Sequence, residues 1–177
     1  MRRLFPVFLL FIVMLILAGC SSMKVMSNYD ETVDFSRYNT YRFAPPKSKG
    51  KKEIRNPFFT KDMQEELRVL MKGKGFDEAV IADEADLILV FHAFTRNNRE
   101  WVSPSYHVGR WGRVYRTSPG HVVNYKEGTL VIDIVDQQKK ELVWQGIGQG
   151  ILDRDNPAQN LIDAVQDVME SFPPEAK

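Results

Sequence analysis

The sequence predicts an α+β fold: one domain in which a mostly antiparallel sheet carries two helices on one face. Apolar residues recur at helical spacing in two stretches, and each stretch opens with an Asn-Pro pair. Other apolar stretches are short, and the clearest of them alternates with polar residues, as a half-buried strand does. Turns of a few residues separate most of the strands, which favours antiparallel neighbours.

Two short strands are predicted at the start of the domain, at residues 24–29 and 40–44. Residues 34–38 form a turn-rich connection between them. The loop that follows, residues 45–56, holds five basic side chains against Glu53 alone. This loop is either a solvated connection or a weak contact to anionic lipid headgroups.

The two helices are predicted from their ends and their apolar faces. The first covers residues 57–72, from a cap at Asn56 to a stop at Gly73. The second also starts with an Asn-Pro pair, with Asn156 as its cap, and ends before Pro173. Each helix has one apolar face, so each needs a sheet to cover.

Three features predict the remaining strands. The continuous apolar run at residues 87–94 indicates a central strand buried on both faces. Residues 125–150 form the clearest hairpin, because their apolar side chains alternate with a period of two. Gly146, Gly148 and Gly150 leave one face of the returning strand bare, which marks the close approach of another element, here a helix.

Residues 95–122 mix arginine with tryptophan and tyrosine, a composition enriched at interfaces and able to stack on planar or sugar ligands. Either these aromatic side chains cover two strands, 101–108 and 113–123, joined by a turn at residues 109–112, or they form a surface that binds a partner. The candidate partner-binding residues are Arg99, Trp101, Tyr106, Arg110, Trp111, Arg113 and Tyr115.

The chain begins with two arginines after Met1 and an apolar run, the pattern of a secretory signal peptide. The run is shorter than the roughly 20 residues of a membrane-spanning helix, although an uncleaved anchor fits the pattern as well. Its end, Leu17-Ala18-Gly19-Cys20, resembles the lipobox of bacterial lipoproteins. The resemblance implies cleavage between Gly19 and Cys20, a diacylglyceryl group on the Cys20 thiol and acylation of the new amino terminus.

These features divide the chain into a signal peptide at residues 1–19, a lipidated Cys20 with a short tether at residues 20–27, and one periplasmic α+β domain at residues 28–177. Two or more acyl chains give stable anchoring. Ser21 is not the aspartate that holds many enterobacterial lipoproteins in the inner membrane. The resemblance to that sorting rule therefore favours the outer membrane, and the inner membrane stays open as the alternative.

The balance of acidic and basic side chains limits the classes of partner that the domain is expected to bind. The formal net charge is +1 for the whole chain and −1 once residues 1–19 are removed, since these carry two arginines and no acid. A near-neutral domain gives no reason to expect a nucleic-acid partner. The predicted partners are the membrane, through Cys20, and a periplasmic protein or envelope polymer.

No residue pattern identifies a reaction, a cofactor or a metal. His92, His107 and His121 lack the spacing of metal ligands, and His92 reads as a hydrogen-bonded core or edge residue. Ser103 and Ser105 lie near His107 without the G-x-S-x-G turn of a hydrolase. We therefore predict a non-enzymatic binding or structural module. The alternatives are a carrier of a small apolar ligand between helix and sheet and, less favoured, a hydrolase.

Six short motifs follow one another over the mature chain. They are Asp34-Phe35-Ser36-x-Tyr38-x-Thr40-Tyr41, Lys74-Gly75-Phe76, Ala85-Asp86-Leu87, Gly128-Thr129-Leu130-Val131-Ile132-Asp133, Leu142-Val143-Trp144-x-Gly146 and Phe172-Pro173-Pro174. In this order they resemble the bacterial lipoproteins that share domain of unknown function 4136. The resemblance implies an envelope lipoprotein with an α+β domain, and it implies no activity.

Overall fold

The structure is a computed structural model that describes residues 23–44, 53–54, 56–103, 105–108, 114–119, 121–153 and 155–174. Within these residues, eight strands and two α-helices follow one another along the chain. The strands are β1 Lys24–Tyr29, β2 Thr40–Phe43, β3 Asp77–Glu78, β4 Leu87–Val102, β5 Ser105–Val108, β6 Val114–Ser118, β7 His121–Asp136 and β8 Glu141–Leu152. The helices are α1 Pro57–Gly73 and α2 Pro157–Met169.

Six of these strands form one sheet in the order β1-β8-β7-β4-β2-β3. Neighbours run antiparallel, except that β2 lies parallel to both β3 and β4. β5 and β6 pair separately as a two-stranded hairpin. The predicted α+β fold with a mostly antiparallel sheet is confirmed, and so is the predicted hairpin, which is β7 and β8.

Both helices pack on one face of the sheet, as predicted. Alternate residues of β4, from Leu87 to Ala93, and of β7, from Leu130 to Ile134, are buried on that face. The buried helical residues are Phe59, Met63, Leu67 and Met71 in α1, and Leu161, Ala164, Val165, Val168 and Met169 in α2. Burial of these apolar faces supplies most of the driving force for folding.

β4 differs from its prediction in length and in burial. The predicted strand ends at residue 94, whereas β4 continues to Val102. Its second face, which includes Ile88 and Val90, is only half-buried, so the prediction of burial on both faces is wrong. An unbroken apolar run resembles a doubly covered strand, but the helices cover one face alone.

The strands predicted at residues 101–108 and 113–123 are each divided. Trp101 and Val102 end β4, and β5 begins at Ser105. On the return, β6 ends at Ser118 and β7 begins at His121. The long pair of β4 and β7 therefore carries the short β5–β6 hairpin at its end.

Two of the glycines of β8, Gly146 and Gly148, lie beneath α2, as predicted. A Cβ atom on Gly146 would lie 2.5 Å from Cγ1 of Val168, and one on Gly148 would lie 2.8 Å from Cγ2 of the same residue. These separations are far below van der Waals contact. The missing side chains let α2 approach the sheet closely.

The two Asn-Pro helix starts differ in their caps. Oδ1 of Asn56 accepts a hydrogen bond from the N–H of Phe58 at 2.9 Å, as predicted. Asn156 makes no capping hydrogen bond in the described part of the chain, so the prediction of the same cap is wrong there. Instead, Oδ1 of Asn160 accepts from the N–H of Asp153 at 2.6 Å and ties the preceding loop to α2.

The sheet begins close to the predicted lipid attachment site. Because β1 starts at Lys24, residues 24–27 of the predicted tether belong to the sheet. Residues 21–23 alone then separate Cys20 from β1. Among the described residues, no helix is both long and apolar enough to cross a membrane.

Candidate functional site

A surface cleft of about 380 Å³ opens at the end of the sheet where β1 finishes. Three loops form it: the 3₁₀ turn at Phe35–Arg37 with its flanks, the turn after α1, and the segment after α2. We call it the aromatic cleft. Its principal lining residues are Tyr29, Phe35, Tyr38, Lys74, Phe76 and Pro174.

A cluster of buried rings forms the base of the aromatic cleft. Phe172 is fully buried, and its ring centroid lies 5.9 Å from that of Phe35 and 5.3 Å from those of Phe76 and Trp144. The rings of Phe35 and Trp144 meet Phe172 edge to face, the arrangement that aromatic pairs favour. A close-packed base of this kind holds the cleft in one shape.

Charged groups lie at the mouth of the aromatic cleft. The carboxylate of Asp34 accepts hydrogen bonds from the hydroxyl of Ser36 at 2.7 Å and from its N–H at 3.1 Å. These bonds lower the pKa of Asp34 below its usual value, so it is an anion at neutral pH. Glu31 and Lys74 also line the cleft. The cleft thus combines apolar rings with charges of both signs.

A second, smaller cleft of about 200 Å³ shares Asp34 and Tyr38 with the first and contains two further carboxylates, those of Asp86 and Asp136. Oδ2 of Asp136 accepts from the hydroxyl of Tyr38 at 2.8 Å, and its Oδ1 accepts from the N–H groups of Gln138 and Lys139. Burial raises the pKa of Asp136, but these hydrogen bonds outweigh burial, and the pKa lies below its usual value. Burial and the bond to Asp136 raise the pKa of Tyr38 to about 12.

Asp86 is held in the same way. Its Oδ2 accepts from the N–H of Asn39 and from both the N–H and the hydroxyl of Thr40, each at 2.9 Å. Burial raises the pKa of Asp86, and these bonds more than offset that effect, so the net shift is downward. Carboxylates that stay ionised and already accept several bonds are poor proton donors at neutral pH, but they anchor loops well.

The predicted partner-binding residues fall into three groups. Arg99 and Trp101 lie on one face of β4, where β4 and β7 extend beyond the helices. Tyr106 lies in β5 and Tyr115 in β6, within the separate hairpin. Arg110, Trp111 and Arg113 lie outside the described residues, as do Gly19, Cys20 and the predicted turn at 109–112.

The extension that carries Arg99 and Trp101 consists of residues 95–102 of β4 and 121–128 of β7, and we call it the ribbon. Trp101 lies opposite Val122, and the two side chains are 61% and 53% exposed. Trp101 therefore does not cover the sheet, which was one of the two predicted alternatives. An exposed apolar pair of this kind suits an interaction surface.

His92 and His121 belong to no catalytic grouping among the described side chains. Nδ1 of His92 lies 2.9 Å from Oε1 of Glu53, and both side chains are largely buried, so His92 is hydrogen-bonded as predicted. His121 is exposed at the start of β7. Within the described residues, no three His, Cys, Asp or Glu side chains lie close enough together to hold a metal ion.

The interface between helices and sheet gives no support to the alternative of an apolar-ligand carrier. Met63, Leu67 and Val168 have no solvent exposure there. Neither of the two clefts lies between the helices and the sheet. Described side chains of both helices and of the sheet are packed together there.

The aromatic cleft was not predicted from the sequence. Its three loops are far apart along the chain, and none of them has a composition that indicates a site. A signal was present nonetheless, because three of the six family motifs meet there: 34–41, 74–76 and 172–174. Motifs that are distant in sequence and lack an obvious structural role are candidates for a shared site.

The described residues form an α+β domain with a surface cleft at one end of its sheet. The chain belongs to the DUF4136 family, described as a domain of unknown function, whose family model matches residues 25–174. This match confirms the family resemblance found in the sequence. A comparison with curated proteins gives no match.

Several solved structures match the chain, among them the following two. One is a PDZ domain protein from Parabacteroides distasonis, with a TM-score of 0.58 and 15% sequence identity. The match covers 89% of this chain but 36% of that protein, so the chain spans about a third of its length. The other is a DUF4136 family protein from Bacteroides thetaiotaomicron, with a TM-score of 0.54, 16% identity, and coverage of 87% of this chain and 97% of that one. At these identities the likeness extends to the fold alone.

Proposed function

We propose that the protein is a lipoprotein of the bacterial envelope, held in the outer membrane by acyl chains on Cys20. Its periplasmic domain is a non-enzymatic binding module, and the aromatic cleft is its binding site. Membership of the DUF4136 family is compatible with this role and leaves the ligand open.

The observation that carries the proposal is the position of the aromatic cleft relative to the start of β1. Tyr29, at the end of β1, lines the cleft, whereas Lys24 is the residue of β1 nearest to Cys20. Tyr29 lies five residues along β1 from Lys24, a distance of about 17 Å. A domain tethered through Lys24 therefore presents the cleft on the side away from its anchor, where a soluble partner has access.

The lining of the cleft favours a short, extended segment of a periplasmic protein. Proline-rich peptides dock in grooves lined by aromatic rings, and they lose little entropy there because they are already extended before they bind. Asp34 and Glu31 supply carboxylates for a basic side chain of that segment. A volume of about 380 Å³ admits a few side chains and excludes a folded domain.

The anchor is tested by Cys20→Ser in cells fed radiolabelled palmitate. The wild-type chain incorporates label and sediments with membranes. The variant lacks the thiol that forms the thioether, so it loses both the label and the anchorage. Persistence of label and of membrane association in the variant would show that the lipobox assignment is wrong.

The cleft is tested by photo-crosslinking in intact envelopes. A benzophenone amino acid replaces Tyr29 at the mouth of the cleft, and in a control protein it replaces Phe58, which is exposed at the opposite end of α1. We expect a discrete adduct from position 29 alone. Mass spectrometry of the tryptic digest of the adduct distinguishes a partner protein, which contributes foreign peptides, from a glycan. The absence of any position-specific adduct would contradict the binding role.

A further inference from the structure

The register of the sheet fixes the direction in which the chain arrives from Cys20. Lys24, the first residue of β1, lies opposite Gln149 in β8, and Gln149 lies opposite Thr129 in β7. Both pairings are antiparallel, so β1 runs in the same direction as β7. β1 therefore has its first residue, Lys24, toward the end of the sheet where β7 starts and where the ribbon projects.

The ribbon extends farther in this direction than the tether does. Phe94 of β4 lies opposite Thr129, at the same level of the sheet as Lys24. Val102 lies eight residues farther along β4, about 26 Å away at strand spacing. The chain from Lys24 to Cys20 spans at most about 14 Å. A bilayer that holds Cys20 is thus within reach of the end of the ribbon.

One face of the ribbon has the chemistry of a membrane-surface contact. The exposed pair of Trp101 and Val122 lies at its end, and Arg99 and Lys126 lie on the same face nearer the core. No Asp or Glu lies on this face of the described ribbon. Tryptophan favours the headgroup level of a bilayer, and arginine and lysine are attracted to anionic headgroups.

The opposite face of the ribbon differs in charge. There Arg96 lies opposite Glu127, and Glu100 lies two pairs farther along on the same face. Oε2 of Glu127 also accepts a hydrogen bond from the side-chain amide of Asn98 at 2.6 Å. A face with charges of both signs gains little from an anionic surface. This difference in charge between the two faces favours the face of Trp101 for contact with the membrane surface.

We propose that the end of the ribbon contacts the surface of the same membrane that holds Cys20. Trp101 and Val122 lie at the headgroup level, while Arg99 and Lys126 face anionic headgroups. The inference rests on the proposed lipid anchor, since the tether brings the ribbon to the bilayer. With two points of attachment, the domain keeps a fixed orientation and the aromatic cleft faces away from the lipid.

A polarity-sensitive nitrobenzoxadiazole probe tests the contact. Cys20 is the only cysteine, so in the acylated chain an introduced cysteine is the only free thiol. Val122→Cys carries the probe on the ribbon, and Val69→Cys on α1, which is 60% exposed, is the matched control. The full acylated chain is reconstituted into vesicles of phosphatidylethanolamine and phosphatidylglycerol. We expect emission at position 122 to shift to the blue and brighten several-fold, while emission at position 69 remains aqueous.

Intact mass separates failure of this inference from failure of the anchor. An acylated protein whose probe at position 122 remains aqueous overturns the ribbon contact and leaves the anchor standing. A chain without acyl groups overturns the anchor, and the Cys20→Ser chain then decides the ribbon: a blue shift with concentrated anionic vesicles supports the contact, and its absence overturns it. A shift in whole envelopes but not in protein-free vesicles indicates a protein partner and overturns the lipid contact.

Charge reversal tests the chemistry of the contact. Arg99→Glu combined with Lys126→Glu should remove most of the blue shift at position 122, because the reversed charges repel phosphatidylglycerol. Replacing phosphatidylglycerol by phosphatidylcholine should weaken the shift of the unreversed chain in the same way. A shift that survives both changes contradicts the assigned role of the two cations.

Discussion

Gly146 of β8 lies so close to Val168 of α2 that a Cβ atom on the glycine would come within 2.5 Å of Cγ1 of the valine. The indole of Trp144 blocks the same space. Gly146→Ala therefore forces α2 away from the sheet, and we expect it to lower the free energy of unfolding by about 1–3 kcal/mol. Urea denaturation followed by circular dichroism measures the change.

Gly73→Ala is the matched control for this substitution. Gly73 ends α1, and no atom outside its immediate surroundings lies within 4 Å of an added Cβ. Alanine favours the helix, so this variant should gain up to about 1 kcal/mol. Equal effects of the two substitutions would contradict the close approach of α2 to β8.

The helix caps provide a second test. Asn56→Ala removes the hydrogen bond from Oδ1 to the N–H of Phe58 and should cost about 1 kcal/mol of stability. Asn156 makes no such bond in the described residues, so Asn156→Ala should cost less than half as much. Thermal unfolding of both variants under one set of conditions checks the order. The reverse order would indicate that the cap belongs to α2.

Local patterns predict much of this fold. The alternation of Leu130, Ile132 and Ile134 identifies β7 because a strand with one covered face has a side-chain period of two. The bare glycine face of β8 likewise identifies the close approach of a helix. Asn156 shows the limit of such reasoning: the residue type suits a cap, but the backbone there has φ −142° and ψ 61°, and the capping bond does not form.

The aromatic cleft and the full length of β4 could not be predicted from the sequence, because both depend on contacts between residues that are distant along the chain. Phe35, Phe76 and Phe172 are widely separated along the chain, yet their rings meet beneath the aromatic cleft. The placement of the helices decides where β4 stops being covered. Its apolar run therefore marks only the covered part and does not indicate that the strand continues to Val102. Sites formed by several loops, and the ends of packed layers, depend on tertiary contacts that local patterns do not encode.

The contribution of Asp136 to the stability of the fold should depend on pH. Its pKa in the folded protein lies below the ordinary value of 3.8, so its contribution to stability is complete above that value and is lost as the pH falls through the folded pKa. Asp136→Asn should therefore destabilise the protein by about 1–2 kcal/mol at neutral pH. The difference in the free energy of unfolding between the wild type and Asp136→Asn should disappear as the pH falls below about 4.

Tyr38→Phe is the control for the Asp136 prediction. It removes one hydrogen bond at 2.8 Å and leaves the carboxylate with its two bonds from backbone N–H groups. Its cost should therefore be smaller than that of Asp136→Asn. Urea denaturation of all three proteins across the acid range provides the comparison. A constant gap between wild type and Asp136→Asn at every pH would contradict the linkage.

The two described tryptophans should respond oppositely to truncation. Trp101 is 61% exposed on the ribbon, so Trp101→Ala should change the free energy of unfolding by less than about 0.5 kcal/mol. Trp144 is fully buried against Phe172, so Trp144→Ala should cost about 3–5 kcal/mol. Urea denaturation distinguishes them. A large loss from Trp101→Ala would mean that its ring covers the sheet, and the ribbon would then offer no apolar surface to a membrane or to any other partner.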